Sequence, residues 1–158
     1  MKSTNNNGGS LANSNGRNLE TFVQNNIMEY GYDYIQAKKF FSVCKCSKKC
    51  LYSKHVWVVN SIYHKRRYCD FIIFHPIKYP NYLIIECKWQ QTPGSVEEKY
   101  PFLVLNIHKT CIDTIIILDG KGFSKGAEKW LKEQQTGFLK KVLSVTEFQQ
   151  QIAKGGVL

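Results

Sequence analysis

Apolar residues recur at helical spacing near the N-terminus, after a stretch that is almost entirely polar. Residues 1–15 are mostly Asn, Ser and Gly, which cannot offset the entropy lost on ordering, so we expect a flexible tail. The apolar positions that follow lie on one face of a helix and are Leu19, Phe22, Val23, Ile27 and Tyr30. Gly31 then stands where a left-handed residue often ends a helix. Structure should therefore begin near Gly16 with a short amphipathic helix.

The middle of the chain contains three segments rich in β-branched and aromatic residues. They are typical of strands and cover residues 55–63, 67–74 and 82–89. Between the last two, the sequence HPIKYPN carries two prolines and an asparagine, which predicts a turn and therefore an antiparallel hairpin. The segment 44–54 has charges and cysteines without periodicity, and we expect a loop there.

The last third of the chain alternates between helical and strand patterns. Ser95 and Glu98 have the spacing of a capping box, so a helix should begin there, with its regular part kinked or delayed by Pro101. A buried strand at 114–120 follows this helix, which suggests a parallel crossover. The remaining predicted elements are a helix at 124–135 capped by Ser124 and closed by Gly137, a strand at 139–143 and a helix starting near Thr146. This order predicts an α/β fold with a mixed sheet flanked by helices.

The composition adds constraints on size and compartment. The 158 residues, 43% of them hydrophobic, suffice for one core, so we expect a single domain over residues 16–158. No apolar run approaches the roughly 18 residues of a membrane span, and the N-terminus lacks a signal-peptide core. These absences favour a cytoplasmic protein, in which the six cysteines are expected to be reduced thiols.

The charge of the chain is strongly positive. The 22 Lys and Arg residues against 12 Asp and Glu give a net charge of +10, with a pI of about 9.3. Such a balance fits a protein that meets the phosphate backbone of nucleic acid. Basic domains without that role are common, so this indication needs a site to support it.

Charged residues lie inside the predicted hairpin. Along strand 82–89 the side chains alternate, so Glu86 and Lys88 share a face. If the turn is centred near Lys78, Asp70 lies directly opposite Glu86 in the ladder. Two carboxylates with Cβ atoms about 5 Å apart destabilise a sheet unless a cation compensates.

These residue types predict phosphodiester hydrolysis. Two carboxylates, the backbone carbonyl of Cys87 and several waters suit Mg²⁺, so Asp70, Glu86 and Cys87 are the candidate metal ligands. Lys88 would orient or help to deprotonate the attacking water and would offset charge on the phosphate. The alternative is that Glu86 and Lys88 form an ordinary surface pair on a solvated strand face.

The same residues resemble the core motif of the PD-(D/E)XK nuclease superfamily. CDFIIF, with Asp70, and LIIECKWQ, with Glu86 and Lys88, are similar to its D…(D/E)-x-K pattern, although Cys69 stands where the family has proline. The resemblance covers about residues 16–145 in the order of elements. It implies a restriction-endonuclease-like domain with the order αβββαβα.

The resemblance extends to three further residues. Glu20, on the first helix, is similar to the acidic residue that many members place near the metal, and Gln90 resembles the E-x-K-x-Q variant. The implied catalytic set is therefore Asp70, Glu86, Lys88, Glu20 and Gln90. Lys99, on the helix after the hairpin, is a candidate phosphate contact.

The resemblance implies a DNA endonuclease that uses Mg²⁺, for which Mn²⁺ can substitute, and that leaves 5′-phosphate and 3′-hydroxyl ends. A short chain has little room for a specificity domain, and one site cuts one strand. We therefore expect a site-specific, type II restriction-like enzyme that acts on double-stranded DNA as a homodimer, without a small-molecule cofactor. The alternatives are a Holliday-junction resolvase, a homing or repair nuclease, a catalytic subunit that needs a partner and, from another class, an inactive nuclease-fold DNA-binding module.

Basic residues outside the motif are candidates for DNA contact. Four of them precede Asp70 and are expected to reach the DNA backbone or base edges, namely His64, Lys65, Arg66 and Arg67. Lys48 and Lys49, in the predicted loop, would suit phosphate contact, although a solvated loop explains them almost as well.

Cysteines and tryptophans offer two weaker hypotheses. Cys44, Cys46 and Cys50 could hold zinc, but their C-x-C-x₃-C spacing differs from that of common zinc knuckles, and reduced cysteines in a loop are the better expectation. The three tryptophans could stack on bases, yet each lies in an apolar segment and is expected in the core; they are Trp57, Trp89 and Trp130.

Overall fold

A computed structural model describes residues 7–92 and 97–158 of the chain, and residues 7–15 by their backbone alone. The elements in chain order are α1 (Asn7–Glu29), β1 (Asp33–Tyr34), α2 (Phe40–Cys44), β2 (Leu51–Asn60), β3 (Arg66–His75), β4 (Tyr79–Trp89), α3 (Lys99–Thr110), β5 (Thr114–Asp119), α4 (Lys125–Glu133), β6 (Leu139–Ser144) and α5 (Val145–Ala153).

The six strands form one sheet in sequential order from β1 to β6. Strands β2, β3 and β4 are antiparallel neighbours, whereas β4, β5 and β6 run parallel and β1 runs parallel to β2. The predicted α/β fold with a mixed sheet is therefore confirmed. The hairpin of β3 and β4 has the predicted register, since Phe71 pairs with Ile85 and Ile72 with Ile84.

Helices cover both faces of the sheet. On one face, α1 and α5 bury Val23, Ile27 and Phe148 against β3, β4 and β5. On the other face, α3 and α4 pack around Ile116, and α2 packs against β2, β3 and β4. Because both of its faces are covered, β5 reads in the sequence as an uninterrupted apolar run.

The N-terminal elements extend further than predicted. Helix α1 begins at Asn7, before the expected start near Gly16, and it ends at Glu29 ahead of Gly31 as expected. Strand β2 begins at Leu51, inside the segment predicted as a loop. Leu51 and Tyr52 are held from both sides by β1 and β3, a tertiary pairing that local periodicity does not reveal. The elements β1 and α2 were not predicted.

The turn between β3 and β4 is shorter than predicted. Strand β4 begins at Tyr79, so Pro80 lies in the strand rather than in the turn. Proline is tolerated there because the ladder is interrupted between Ile73 and His75, next to the turn.

Helix α3 begins at Lys99, with Glu98 as its N-cap residue, and not at Ser95 as predicted. Ser95 itself lies outside the described residues. The late start places Pro101 in the first turn, where its missing N–H costs no hydrogen bond. The expected delay by Pro101 is therefore confirmed.

The two C-terminal helices begin at serine caps. The side chain of Ser124 accepts a hydrogen bond from the backbone N–H of Ala127, as predicted for α4. Ser144 and Glu147 form a reciprocal capping box at the start of α5, which the sequence reasoning missed. Among the described residues, no helix combines the length and the apolar character needed to cross a membrane.

Candidate active site

The ladder between β3 and β4 is interrupted at Asp70. Its last regular pair on this side joins Phe71 and Ile85. The next backbone N–H of β4 that points towards β3 belongs to Cys87. It donates a hydrogen bond to Oδ2 of the Asp70 carboxylate at 2.7 Å. The Asp70 side chain therefore lies between the two strands and is fixed by the backbone of one of them.

Three oxygen atoms converge on the ammonium group of Lys88. Its Nζ lies 3.2 Å from Asp70 Oδ2, 2.9 Å from Glu86 Oε2 and 3.0 Å from the carbonyl oxygen of Cys87. These atoms belong to the three candidate metal ligands. The hairpin thus brings two carboxylates and a carbonyl around one cationic position, and hard oxygen donors of this kind suit a divalent cation.

Arg67 completes a charged cluster, which we define as Asp70, Glu86, Lys88 and Arg67. The guanidinium of Arg67 donates to Glu86 Oε1, so the Glu86 carboxylate is held by two cations. Glu86 is only 2% exposed, and a buried carboxylate of this kind requires such partners. Burial excludes the alternative that Glu86 lies on a solvated strand face. Arg67 therefore lies inside the cluster, with 18% of its side chain exposed.

The cluster shifts the pKa of two β4 residues. Burial would lower the pKa of Lys88, but the carboxylates of Glu86 and Asp70 outweigh it and raise that pKa above its ordinary value. Lys88 is therefore a positively charged donor in this arrangement. Burial, reinforced by the charge of Asp70, raises the pKa of the Cys87 thiol well above its usual range, so this thiol is neutral.

Helix α1 carries Glu20, which pairs with His55 of β2. Burial and then the charge of Asp70 raise the pKa of Glu20, while His55 lowers it. The Nε2 of His55 lies 3.6 Å from Glu20 Oε2. His55 adopts a left-handed backbone conformation, with φ of 51°, at the point where β2 passes this carboxylate. Glu20 therefore lies where the electrostatic field of Asp70 reaches it.

The cluster opens into a cavity of about 270 Å³, which we call the β3–β4 cavity. Its lining combines the charged cluster with Tyr68 of β3 and with four residues of α3, namely Lys99, Tyr100, Phe102 and Leu103. Lys99 therefore lines the same cavity as the charged cluster. A phosphate in this cavity would meet cationic side chains from both the sheet and the helix.

Gln90 supports the wall of the cavity. Its side chain is buried, accepts a hydrogen bond from the hydroxyl of Tyr100 at 2.6 Å and donates to the carbonyl of Thr92 at 3.0 Å. Gly120, whose φ is 103°, lies very close to the Gln90 backbone. A Cβ atom at position 120 would lie 2.1 Å from the Gln90 carbonyl oxygen. Gln90 therefore contacts Tyr100 and the end of β5, rather than lining the cavity.

The other predicted DNA contacts lie outside the β3–β4 cavity. His64 and Lys65 are exposed in the turn between β2 and β3, and Arg66 is exposed at the start of β3. The remaining two lie beyond the opposite end of β2, where Lys49 pairs with Asp33 at 3.4 Å and Lys48 is exposed. The structure therefore groups the first three near one another and separates them from Lys48 and Lys49.

The cysteines do not assemble a metal site in the described part of the chain. Across residues 7–92 and 97–158, no group of three or more His, Cys, Asp or Glu side chains could hold a metal ion. All six cysteines are free, with Cys44 buried, Cys50 half-buried and Cys46 exposed. The zinc alternative has no support from these positions.

The prediction that Trp57 lies in the core is wrong, because its side chain is 47% exposed. Strand β1 pairs with Leu51 and Tyr52, and among residues 7–92 and 97–158 no strand covers the rest of this edge of β2. Trp89 and Trp130 are partly buried and pack against the two main apolar clusters, as expected.

The family of the chain follows from a comparison with known families. The family model of a PD-(D/E)XK nuclease superfamily domain matches residues 11–154, which is most of the chain. We found no significant match among curated proteins or among solved structures. The six-stranded mixed sheet flanked by helices agrees with the restriction-endonuclease-like fold of that superfamily. The chain therefore belongs to the PD-(D/E)XK nuclease superfamily.

Proposed function

We propose that this nuclease domain is a divalent-metal-dependent endodeoxyribonuclease whose reaction takes place in the β3–β4 cavity. The observation that carries the proposal is the convergence of Asp70 Oδ2, Glu86 Oε2 and the Cys87 carbonyl oxygen on one cationic position. A surface ion pair would not require a buried carboxylate held by two cations, and a binding module has no need for two carboxylates at one point.

The donor set fits Mg²⁺, with Mn²⁺ as a substitute, because both prefer oxygen ligands. Asp70, Glu86 and the carbonyl of Cys87 would hold the ion, and Lys88 would have to move away from these oxygens. When bound, such an ion supplies an acidified water and charge stabilisation for phosphodiester hydrolysis.

The residues around this set have separate proposed roles. Lys88 is a charged donor that can orient a water molecule or neutralise a phosphate oxygen. Arg67 keeps the Glu86 carboxylate oriented through its hydrogen bond to Oε1. Lys99 lines the same cavity and would attract the phosphate backbone. Glu20, held near His55, is a further acidic group beside Asp70.

The first form of this proposal is a site-specific, type II restriction-like enzyme. It would cut double-stranded DNA to 5′-phosphate and 3′-hydroxyl ends, as a homodimer because one site cuts one strand. The net charge of +10 supports a DNA substrate. His64, Lys65 and Arg66 would contact the backbone beside the cavity, while Lys48 and Lys49 would contact more distant phosphates.

A second form is a structure-specific nuclease, such as a junction resolvase or a repair enzyme. The observation that favours it is a pair of exposed aromatic side chains, Tyr68 in the lining of the cavity and Trp57 opposite Tyr68 in the ladder of β2 and β3. Aromatic side chains stack on unpaired bases, whereas the bases of an intact duplex stack on each other.

Digestion of unmethylated phage DNA and plasmid DNA tests the proposal and separates its two forms. Discrete fragments that form with Mg²⁺ and not with EDTA would support the site-specific enzyme, and end-labelling of those fragments would test the 5′-phosphate. Cleavage confined to branched or gapped substrates would support the second form. Binding of DNA without cleavage of any substrate would refute both and would indicate an inactive binding module.

A further inference from the structure

Two exposed aromatic residues face each other on the neighbouring strands β2 and β3, next to the β3–β4 cavity. Trp57 of β2 and Tyr68 of β3 are direct partners in the antiparallel ladder. Their side chains therefore lie on the same face of the sheet, with Cβ atoms about 5 Å apart. Trp57 is 47% exposed and Tyr68 is 51% exposed. We call this pair the aromatic platform.

Polar neighbours hold the ring of Trp57 in place. The indole Nε1–H donates to Asn60 Oδ1 at 3.1 Å. The guanidinium carbon of Arg66 lies 5.5 Å from the centre of the indole ring, which is within the range of a cation–π contact. An exposed tryptophan held from two sides loses little conformational freedom when it binds a planar ligand.

The platform is continuous with the β3–β4 cavity. Tyr68 lines that cavity together with Asp70, and it also lines an adjoining groove of about 580 Å³ that contains Trp57. Apolar residues of the α2 region, Ala37 and Phe41, form the opposite wall of the groove. A nucleotide chain that places one phosphate at the charged cluster can therefore reach the platform with a neighbouring base.

The charge of the groove favours nucleic acid over an apolar protein partner. Its other lining residues include Lys38, and none of the described residues that line it is acidic. Arg66, on the indole ring, adds a further positive charge. Planar aromatic surfaces combined with cations match bases joined by phosphates. Isolated exposed aromatic side chains are common on proteins, but here two of them meet a cation at the mouth of a charged cavity.

We propose that the aromatic platform binds an unpaired base next to the phosphate that enters the β3–β4 cavity. Trp57 provides the stacking surface, Tyr68 extends it towards Asp70, and Arg66 orients the indole ring. The domain would then select DNA with single-stranded arms, gaps or displaced bases. This inference rests on the proposed nuclease function and favours its second, structure-specific form, because it concerns the substrate of the same site.

Fluorescence anisotropy in EDTA tests the platform without any cleavage. The probes are a labelled blunt duplex, the same duplex with a single-stranded overhang, and the single strand alone. Wild-type protein should bind the two probes with unpaired bases more tightly than the blunt duplex. Trp57→Ala should weaken binding to those two probes by about 5-fold to 100-fold, since stacking contributes about 1–3 kcal/mol per base, and should change blunt-duplex binding by less than about 2-fold.

Two further variants serve as controls for the loss of the aromatic side chain. Trp57→Phe should retain most of the preference, because it keeps an aromatic face. Tyr34→Ala, which removes a comparably exposed aromatic side chain at β1, should leave the preference unchanged. If Trp57→Ala does not fold, as judged by its melting temperature, Tyr68→Ala replaces it with the same expected loss. Equal losses on all three probes, or no loss on any, would overturn the platform.

Failure of the platform and failure of the nuclease proposal give different results. If wild-type protein shows the Trp57-dependent preference in EDTA but cleaves no DNA with Mg²⁺, the platform stands and the proposed function fails. If wild-type protein cleaves DNA with Mg²⁺ but Trp57→Ala binds every probe as wild type does, the proposed function stands and the platform fails.

Discussion

Replacing Lys88 with methionine tests whether the three converging oxygens form a cation site. The substitution keeps most of the buried side-chain volume and removes the charge that Asp70 and Glu86 share. Both carboxylate oxygens lie within about 3 Å of the same nitrogen, so they are at most about 6 Å apart, and two unit charges at that distance repel by about 3 kcal/mol at an effective dielectric constant of about 20. Arg67 still pairs with Glu86, so we expect Lys88→Met to lose about 2 kcal/mol of unfolding free energy in EDTA.

The same substitution should increase the response to metal. In wild-type protein a divalent cation must displace the ammonium of Lys88 from three oxygens, whereas Lys88→Met presents those oxygens without a competing charge. At a metal concentration of 100 times Kd, binding stabilises the folded state by about 2.7 kcal/mol. Mg²⁺ should therefore raise the melting temperature of Lys88→Met more than that of wild type.

Urea unfolding and thermal melts, each with EDTA or Mg²⁺, measure both effects. Lys132→Met is the matched control, because Lys132 pairs with Glu128 at the surface of α4. That variant should lose less than about 1 kcal/mol and should show no altered response to Mg²⁺. The reasoning is refuted if Lys88→Met is as stable as wild type in EDTA, or if Mg²⁺ stabilises it no more than wild type.

Three further substitutions probe the framework of the site and its caps. Tyr100→Phe leaves the buried Gln90 Oε1 without its donor and should lower the unfolding free energy in urea by about 1–3 kcal/mol. Gly120→Ala should cost more than about 2 kcal/mol, measured in the same way, because φ is 103° and the added Cβ would meet the Gln90 carbonyl. Hydrogen bonding by the Ser144 N–H lowers the pKa of Glu147, so its contribution to stability is present above the usual pKa of glutamate and is lost as pH falls through the lowered value. The stability difference between wild type and Glu147→Gln should accordingly shrink below about pH 4, as followed by urea unfolding at several pH values.

The hairpin of the site was predictable because local rules determine it. Alternation along β4 puts Glu86 and Lys88 on one face, and a short turn fixes which residue of β3 comes opposite. The observed pair of Phe71 and Ile85 follows that register. The insertion of the Asp70 carboxylate between the strands was not predictable, since it depends on where the ladder opens. The hydrogen bond from Arg67 to Glu86 was not predictable either, because it depends on how the two side chains pack in the folded hairpin.

Local sequence patterns did not predict the exposed position of Trp57, the hydroxyl contact of Tyr100 or the start of helix α1. A tryptophan in an apolar segment predicts a core position, but Trp57 lies on a stretch of β2 that β1 leaves uncovered. The hydrogen bond from the Tyr100 hydroxyl to Gln90 is a tertiary contact that a helical pattern does not reveal. The helical backbone from Asn7 onwards has no explanation in the sequence, because Asn, Gly and Ser have low helix propensity.

The central claim is that the charged cluster hydrolyses phosphodiester bonds with a divalent cation. The most direct test follows supercoiled plasmid over time with wild-type protein and with Glu86→Gln, each with Mg²⁺ or with EDTA. Glu86→Gln keeps the shape of the side chain, and its melting temperature and DNA affinity are measured alongside. The account predicts nicked or linear product only when both Mg²⁺ and Glu86 are present. Intact plasmid with folded, DNA-binding wild-type protein and Mg²⁺, or cleavage by Glu86→Gln at the wild-type rate, would contradict it.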